Sequence, residues 1–406
     1  MSYVKLGEVT HVVSKGTTPT SIGLSFSVTG VPFLKGEDVL GKEINFSVAN
    51  TFISEASHQV LNRSALEYGD VLITIAGTIG RIGFIAERAR IANCNQAVAF
   101  ARPDLAKLDP EWLCYLLRSS TYQAMFAAFV AGGAIPNVNL QQIRSLEIPS
   151  IDIEEQRQIA ALLKAELAEV ETARQAAQVQ DKETEALIAA VYQECFKGIV
   201  PVAEPKAVEA APSGWTWRRL TDLARLESGH TPSRSRPEWW GGDISWVSLT
   251  EIRSLDGQWV VSTQIRTNEA GISNSSARLL PRGTVCFSRT ASVGFVTILA
   301  TPMATSQDFA NWVCGDDLDP EYLMYALIRS RAELRAIATG ATHKTIYMPA
   351  LESFQLCAPP RSEQERIVSA LREKLKCFEQ IRTALKQQQS DFKLLPQKII
   401  AQAFES

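Results

Sequence analysis

Two kinds of hydrophobic pattern alternate along this chain. One is short: apolar runs such as Asp70–Ile75 and Thr284–Phe287, closed by glycine and small polar residues, predict strands that enter tight turns. The other is long. After Glu155-Gln156-Arg157, and again after Glu363-Gln364-Glu365-Arg366, the chain runs without glycine and is rich in Ala, Glu, Gln, Lys and Leu. Positions 159, 163, 166, 170, 173, 177, 180, 184, 187 and 191 read Ile, Leu, Glu, Val, Ala, Ala, Gln, Thr, Leu, Val. Positions 367, 371, 374, 378, 381, 385, 388, 392, 395 and 399 read Ile, Leu, Lys, Phe, Ile, Leu, Gln, Phe, Leu, Ile. A repeat of 3.5 residues held over several heptads is a coiled-coil seam. Its polar breaks coincide in the two stretches, Glu166 with Lys374 and Gln180 with Gln388. Pro396 is expected to disturb the last turn of the second helix. A helix with one apolar stripe must bury it, and each stripe is the nearest complement of the other. The pair is therefore expected to pack antiparallel and to space two β-rich domains, each helix being roughly 40 residues and about 60 Å long.

The chain is written twice. Gly16-Thr17-Thr18-Pro19-Thr20 returns as Gly229-His230-Thr231-Pro232-Ser233, and Phe33-Leu34-Lys35 as Trp246-Val247-Ser248. Gly69–Thr74 returns as Gly283–Ser288, Gly80 as Gly294, and Asn95-Gln96 as Ser306-Gln307. Leu108-Asp109-Pro110-Glu111-Trp112-Leu113 returns as Leu318-Asp319-Pro320-Glu321-Tyr322-Leu323, each predicting a helix capped by the aspartate with proline in its first turn. Ala131-Gly132-Gly133-Ala134 corresponds to Thr339-Gly340-Ala341-Thr342. The expected fold class is α+β: two similar mixed α/β domains separated by two long antiparallel coiled-coil-like helices, an internal pseudo-two-fold repeat.

Charge adds one constraint. Residues 1–150 hold 12 basic and 12 acidic side chains, and residues 213–360 hold 14 of each. The first helical stretch is acidic by five and the second basic by three. A nucleic-acid surface must therefore be local, not a general basic excess. The seven cysteines lie scattered without a C-x-x-C pair, which predicts reduced thiols in a cytoplasmic protein. The start, MSYVKLGEVT, has no signal-peptide apolar region, and no apolar run reaches the length of a membrane span. The four histidines have no metal-ligand spacing, and no phosphate loop or nucleophile elbow is present. The Asn/Asp-Pro-Pro-Tyr/Phe tetrapeptide of an adenine methyltransferase is absent too; Ala358-Pro359-Pro360-Arg361 has the wrong flanks. A non-catalytic chain is expected, with no metal and no cofactor of its own.

The ordered set of Gly-x-Thr-Pro turns, strand–turn segments ending at Gly80 and Gly294, Asn/Ser-Gln pairs, Pro-Glu-Trp/Tyr-Leu helices and Glu-Gln helix starts resembles the specificity subunits of type I restriction–modification systems, over essentially all 406 residues. The resemblance implies a first target-recognition domain at 1–150, a central spacer helix at 151–199, a flexible linker at 200–212, a second recognition domain at 213–358 and a C-terminal spacer helix at 359–406. It implies that each domain reads one half of a bipartite, asymmetric double-stranded DNA site. The helices would fix the unread spacer and dock two methyltransferase (modification) subunits, which two motor-endonuclease (restriction) subunits can join. S-adenosylmethionine, ATP and Mg would then belong to the partner subunits. The alternative reading is a non-catalytic coiled-coil scaffold.

Base reading needs Arg, Lys, Asn, Gln, Ser or Thr on exposed loops, with Lys or Arg beside them for phosphates. In the first domain the candidates are Lys15, Thr17, Thr18, Lys35, Thr78, Arg81, Asn95, Gln96, Asn137 and Asn139. In the second they are Thr231, Ser233, Arg234, Arg236, Ser248, Arg289, Ser292, Gln307, His343 and Lys344. The bland alternatives are a turn hydroxyl satisfying backbone for Gly-x-Thr-Pro, a buried hydrogen-bond hub for Asn95-Gln96, and a packed corner for Trp239-Trp240.

Overall fold

The run Val71–Thr74 is apolar without alternation because both of its faces are covered. Val71 and Ile73 pack with Trp112 and Leu116 of the helix Pro110–Arg118, while Leu72 joins Leu34, Cys94 and Phe100 on the other side. This strand sits in an antiparallel sheet ordered Thr10–Lys15, Val98–Pro103, Val71–Thr74, Ile82–Phe84. A second sheet is ordered Phe52–Ile53, Val31–Leu34, Ala92–Cys94, Ala65–Leu66, with its two central strands parallel. The computed structural model describes residues 2–46, 50–88, 91–130, 137–340 and 344–405.

The second copy repeats the plan. Ala224–Ser228, Phe309–Cys314, Val285–Ser288 and Val296–Leu299 form the antiparallel sheet, extended by Trp259–Val260 running parallel to its neighbour. Trp240–Val247 pairs parallel with Ala304–Thr305, as Val31–Leu34 does with Ala92–Cys94. The chain divides into two compact units, residues 1–178 with 386–406, and residues 179–385.

The aspartate caps form in both copies. Asp109 accepts from the Trp112 amide at 2.9 Å, and Asp319 from the amides of Glu321 and Tyr322 at 2.8 and 3.1 Å. The glutamine of each Glu-Gln pair roots a long helix in its domain. Gln156 is buried, accepts from the Asp109 amide at 2.9 Å and donates to the carbonyls of Lys107 and Ile151. Gln364 does the same with the Asp319 amide at 2.9 Å and the carbonyls of Asp317 and Pro359.

The long helices run Ile153–Cys195 and Arg361–Glu405. Their seam keeps one row of the expected positions and departs in the other. Leu163, Val170, Ala177 and Thr184 are buried as that spacing requires, but the interleaved positions are Ala160, Leu167 and Ile188, one residue later than 159, 166 and 187. Leu187 is 56% exposed. The second helix is mixed: Ile367, Leu371 and Leu385 are buried at the expected positions, while Val368 and Leu375 also pack inward and Ile381 and Leu395 are exposed. Nor does Pro396 end that helix. Its missing donor is offset by burial of the turns beyond it, where Ile400 packs with Leu163 and Phe404 lies edge-on to Trp112 at 6.0 Å. In the second unit, Glu194–Lys374 at 2.7 Å and Glu185–Arg382 at 3.5 Å tie the two helices in antiparallel register.

The segment 200–212 is not free along its length. Val202–Ala203 is an edge strand on Gln355–Ala358, both residues are buried, and the Val202 amide donates to Ser330 Oγ at 2.9 Å. All seven cysteines are free thiols; burial pushes those of Cys94, Cys114, Cys286 and Cys357 up. Among the described residues no helix is long and apolar enough to cross a membrane, and no group of His, Cys, Asp or Glu could hold a metal ion.

Candidate nucleic-acid interface

Glycine opens the first motif for a steric reason. A Cβ on Gly16 would lie 1.9 Å from the Cys94 carbonyl oxygen, and one on Gly229 would lie 2.1 Å from that of Ser306. Only glycine lets the chain cross so close to the neighbouring strand end. The crossing is fastened by Gly16 N to Val98 O and Thr17 N to Cys94 O, both 3.1 Å, and in the second copy by His230 N to Thr305 O at 2.9 Å. It delivers a threonine hydroxyl to the glutamine of the next motif. Thr18 donates to Gln96 Oε1, and Thr231 donates to Gln307 Oε1 at 2.5 Å. The residue before each glutamine makes the turn that throws it outward. Asn95 Oδ1 accepts from the Ala97 amide at 3.1 Å, and Ser306 Oγ bonds Asp308. Both glutamines are exposed, with the amide nitrogen unengaged by the threonine.

Other candidate segments reach the same edge through backbone bonds. In the first domain Ile75 N bonds Ala97 O at 2.8 Å, Val138 N bonds Ile75 O at 3.0 Å, and Asn95 N bonds Leu34 O at 2.9 Å. In the second, Arg289 N bonds Asp308 O at 2.8 Å, Ile346 N bonds Arg289 O at 2.8 Å, and Ser306 N bonds Val247 O at 3.0 Å. The turns between these strands are built alike. Thr74 Oγ1 donates to Thr78 O and accepts from the Arg81 amide; Ser288 Oγ donates to Ser292 O and accepts from the Phe295 amide. Thus Thr17, Thr18, Thr78, Arg81, Asn95, Gln96 and Asn137 lie on one edge, with Lys15 and Lys35 at its margins. Thr231, Ser292, Gln307 and Lys344 share the equivalent edge of the second domain, with Ser233, Arg234 and Arg236 in the loop that follows Thr231.

Several candidates are occupied with structure. Asn139 caps the helix Leu140–Arg144 in a reciprocal box with Gln142. Ser248 is buried and bonded to Thr250 at 2.6 Å, because Val247–Ser248 lies at the end of an interior strand. Arg289 gives its guanidinium to the Gln307 carbonyl at 2.8 Å and so positions the glutamine turn. Arg81 reaches the Gly36 carbonyl at 3.3 Å, and Lys35 lies 3.7 Å from Glu37. His343 lies outside the described residues.

The loop with little counterpart in the first half is held by stacking. The Arg234 guanidinium lies 5.0 Å from the Trp240 ring and 5.4 Å from Trp246, and the two indoles meet edge to face at 5.1 Å. Trp240 also donates to the Ser233 carbonyl at 3.2 Å, and Arg236 lies 6.0 Å from the Trp239 ring. Trp239 and Trp240 are half-buried and shape the loop; Arg234 and Arg236 are exposed on it. Trp246 was legible in the sequence only as the repeat partner of Phe33, because its contact with Arg234 crosses from the strand to the loop.

Comparison with known proteins agrees with this duplicated architecture. The family described as type I restriction modification DNA specificity domain matches residues 1–180 and 212–389. The type I restriction enzyme MjaIX specificity subunit of Methanocaldococcus jannaschii is 28% identical over 162 residues, 39% of this chain and 38% of that protein. The match thus spans well under two thirds of that relative. The putative MjaX specificity subunit of the same organism is 21% identical over 378 residues, 91% of this chain and 85% of that one. A chain from a structural study of complex assembly and conformational transition in the type I R-M system superposes with a TM-score of 0.78 at 21% identity, covering 99% of this chain and 97% of that chain. The HsdS subunit of Thermoanaerobacter tengcongensis gives a TM-score of 0.60 at 21% identity, covering 100% and 96%. With its matched region present twice and covering most of its length, this chain belongs to the type I restriction modification DNA specificity domain family.

Proposed function

We propose that this chain is the site-reading subunit of a type I restriction–modification assembly, with each domain reading one half of a bipartite, asymmetric DNA sequence. The observation that carries the reading is the threonine–glutamine pair presented identically on an exposed edge of both domains, Thr18–Gln96 and Thr231–Gln307. A glutamine amide pairs with adenine through N6 and N7 in the major groove, and a fixed carbonyl orientation makes that contact selective. Around this shared element the two edges carry different side chains: Lys35 against Ser248, and no counterpart in the first domain for Arg234 and Arg236. Related but unlike domains suit two different half-sites, which a symmetric dimer cannot read.

In this reading the long helices set the unread gap and offer the docking surface for two methyltransferase subunits, which two motor-endonuclease subunits join. S-adenosylmethionine, ATP and Mg sit on those partners, the chemistry is theirs, and the assembly works in the cytoplasm. The test is a methylome map of cells expressing the chain with its methyltransferase partner. Two short specified blocks separated by a fixed gap, present only with this chain, are expected. A continuous palindrome, or a pattern unchanged by deleting the chain, favours the coiled-coil scaffold instead.

A further inference from the structure

The second domain has a basic hollow that none of its reading-edge motifs explains. It is a cavity of about 700 Å³ lined in part by Arg253, Ser292, Phe295, Arg335 and Lys344. Three guanidinium groups surround the Phe295 ring, Arg253 at 5.8 Å, Arg331 at 5.4 Å and Arg335 at 5.3 Å from its centre. Arg331 is neutralised: it holds both oxygens of Asp256 at 2.7 and 2.8 Å and the Gly294 carbonyl at 2.8 Å. The nearby Glu333 pairs with Arg329 at 3.6 Å. Among the described residues none of Arg253, Arg335 and Lys344 makes an ion pair. Arg335 donates through Nε to the Val293 carbonyl at 2.8 Å, and burial with Arg331 and Arg253 close by pushes its guanidinium down, although Asp256 acts against this.

Among the described residues the first domain carries other side chains at the corresponding helix positions. There Gln123 donates to the Gly80 carbonyl at 2.9 Å where Arg331 donates to Gly294, and one helical turn later Ala127 stands where the second domain has Arg335. The hollow also adjoins the second reading edge, since the Ala291 amide bonds the Lys344 carbonyl at 2.9 Å and Ser292 belongs to the turn between strands.

We infer that this hollow is a phosphate seat, in which Arg253, Arg335 and Lys344, backed by Phe295, grip one backbone phosphodiester beside the half-site read by the second domain. Several cations lining one hollow suit an anion with several oxygens, and a phosphodiester supplies the negative charge that would balance them. The seat rests on the DNA-reading role proposed above and gives the second domain an anchor that the first does not have.

The test is binding of the full chain to a duplex containing its site, measured by fluorescence anisotropy over a range of salt. Arg253→Gln with Arg335→Gln is expected to weaken binding alike for every base sequence. It should also make the slope of log K against log salt shallower by about 0.9 for the phosphate lost. Arg335→Lys should keep most of the slope. A methylphosphonate at one backbone position should weaken the wild type and leave the double variant unaffected. An unchanged slope, or a loss confined to one base pair, overturns the seat while leaving the reading role in place. A wild-type chain that binds no DNA overturns both. Inorganic phosphate that binds the wild type by calorimetry without competing with DNA would assign the hollow to a free anion, and so also overturns it.

Discussion

Thr18 and Thr231 each fix one oxygen of a glutamine amide, and the consequence is measurable base by base. Gln96→Leu removes both the donor and the acceptor, so it should erase discrimination at one base pair of one half-site, about 1–3 kcal/mol, and leave the other half-site unaffected. Binding to a set of duplexes with each base pair substituted in turn would show it. Thr18→Val should have a smaller effect at the same base pair, since the amide remains but is no longer oriented. Gly16→Ala should be far worse than either, because a Cβ at 1.9 Å from the Cys94 carbonyl forces the strand ends apart; loss of thermal stability would accompany loss of binding. At this scale the sequence was readable where a motif has a local mechanism. Gly-x-Thr-Pro and the Asn/Ser-Gln turns stand out as a pair of repeats, whereas Asn139, expected at DNA, caps a helix with Gln142. It was not readable where the decision is tertiary. Ser248 is polar and sits opposite Lys35 in the repeat, yet its strand turns it inward. Arg289 has the side chain of a base reader, but a carbonyl from a turn distant in sequence captures it. Arg331 and Arg335, four residues apart on one helix, carry no signal in the sequence, because only the fold brings Phe295 and Arg253 to them.

The long helices show the same division at the level of the element. Their existence, their length and half of the buried stripe follow from composition and a 3.5-residue repeat, but the interleaved positions do not. Ile159 and Ala160 are both apolar, as are Leu162 and Leu163, so the sequence permits stripes that differ by one residue. The choice is made by the root of the helix, where Gln156 must face the domain to meet the Asp109 amide. Gln364→Leu should therefore destabilise the second unit by about 2–4 kcal/mol, since the Asp319 amide and two carbonyls lose a buried partner. A lowered denaturation midpoint, with faster amide exchange in the first turns of the helix from Arg361, is the expected observation. Pro396→Ala restores a helical donor and should slow amide exchange around residues 392–400, with a gain of up to about 3 kcal/mol in local helix stability. Exchange unchanged by that substitution would mean that burial of Ile400 and Phe404 alone already holds the turn.

For the molecule as a whole, duplication followed by divergence separates what is shared from what is variable. The sheets, the aspartate caps, the helix roots and the threonine–glutamine pairs recur in both halves. At the positions of Arg234, Arg331 and Arg335 the first half has Ser21, Gln123 and Ala127. Replacing residues 229–241, 289–294 and 306–308 together with those of a relative should therefore change one block of the methylated sequence and spare the other. A methylome in which both blocks change would contradict that independence. The glutamine roots have a mechanical meaning as well. Each long helix begins with three hydrogen bonds to a buried side chain and not with a free hinge. A twist or pull applied along such a helix is transmitted at its first turn into the loop before the Asp-Pro-Glu helix. That helix packs on the strand whose turn carries Thr78 or Ser292, so each domain turns with its helix as a stiff crank, with no swivel at the joint to absorb the load.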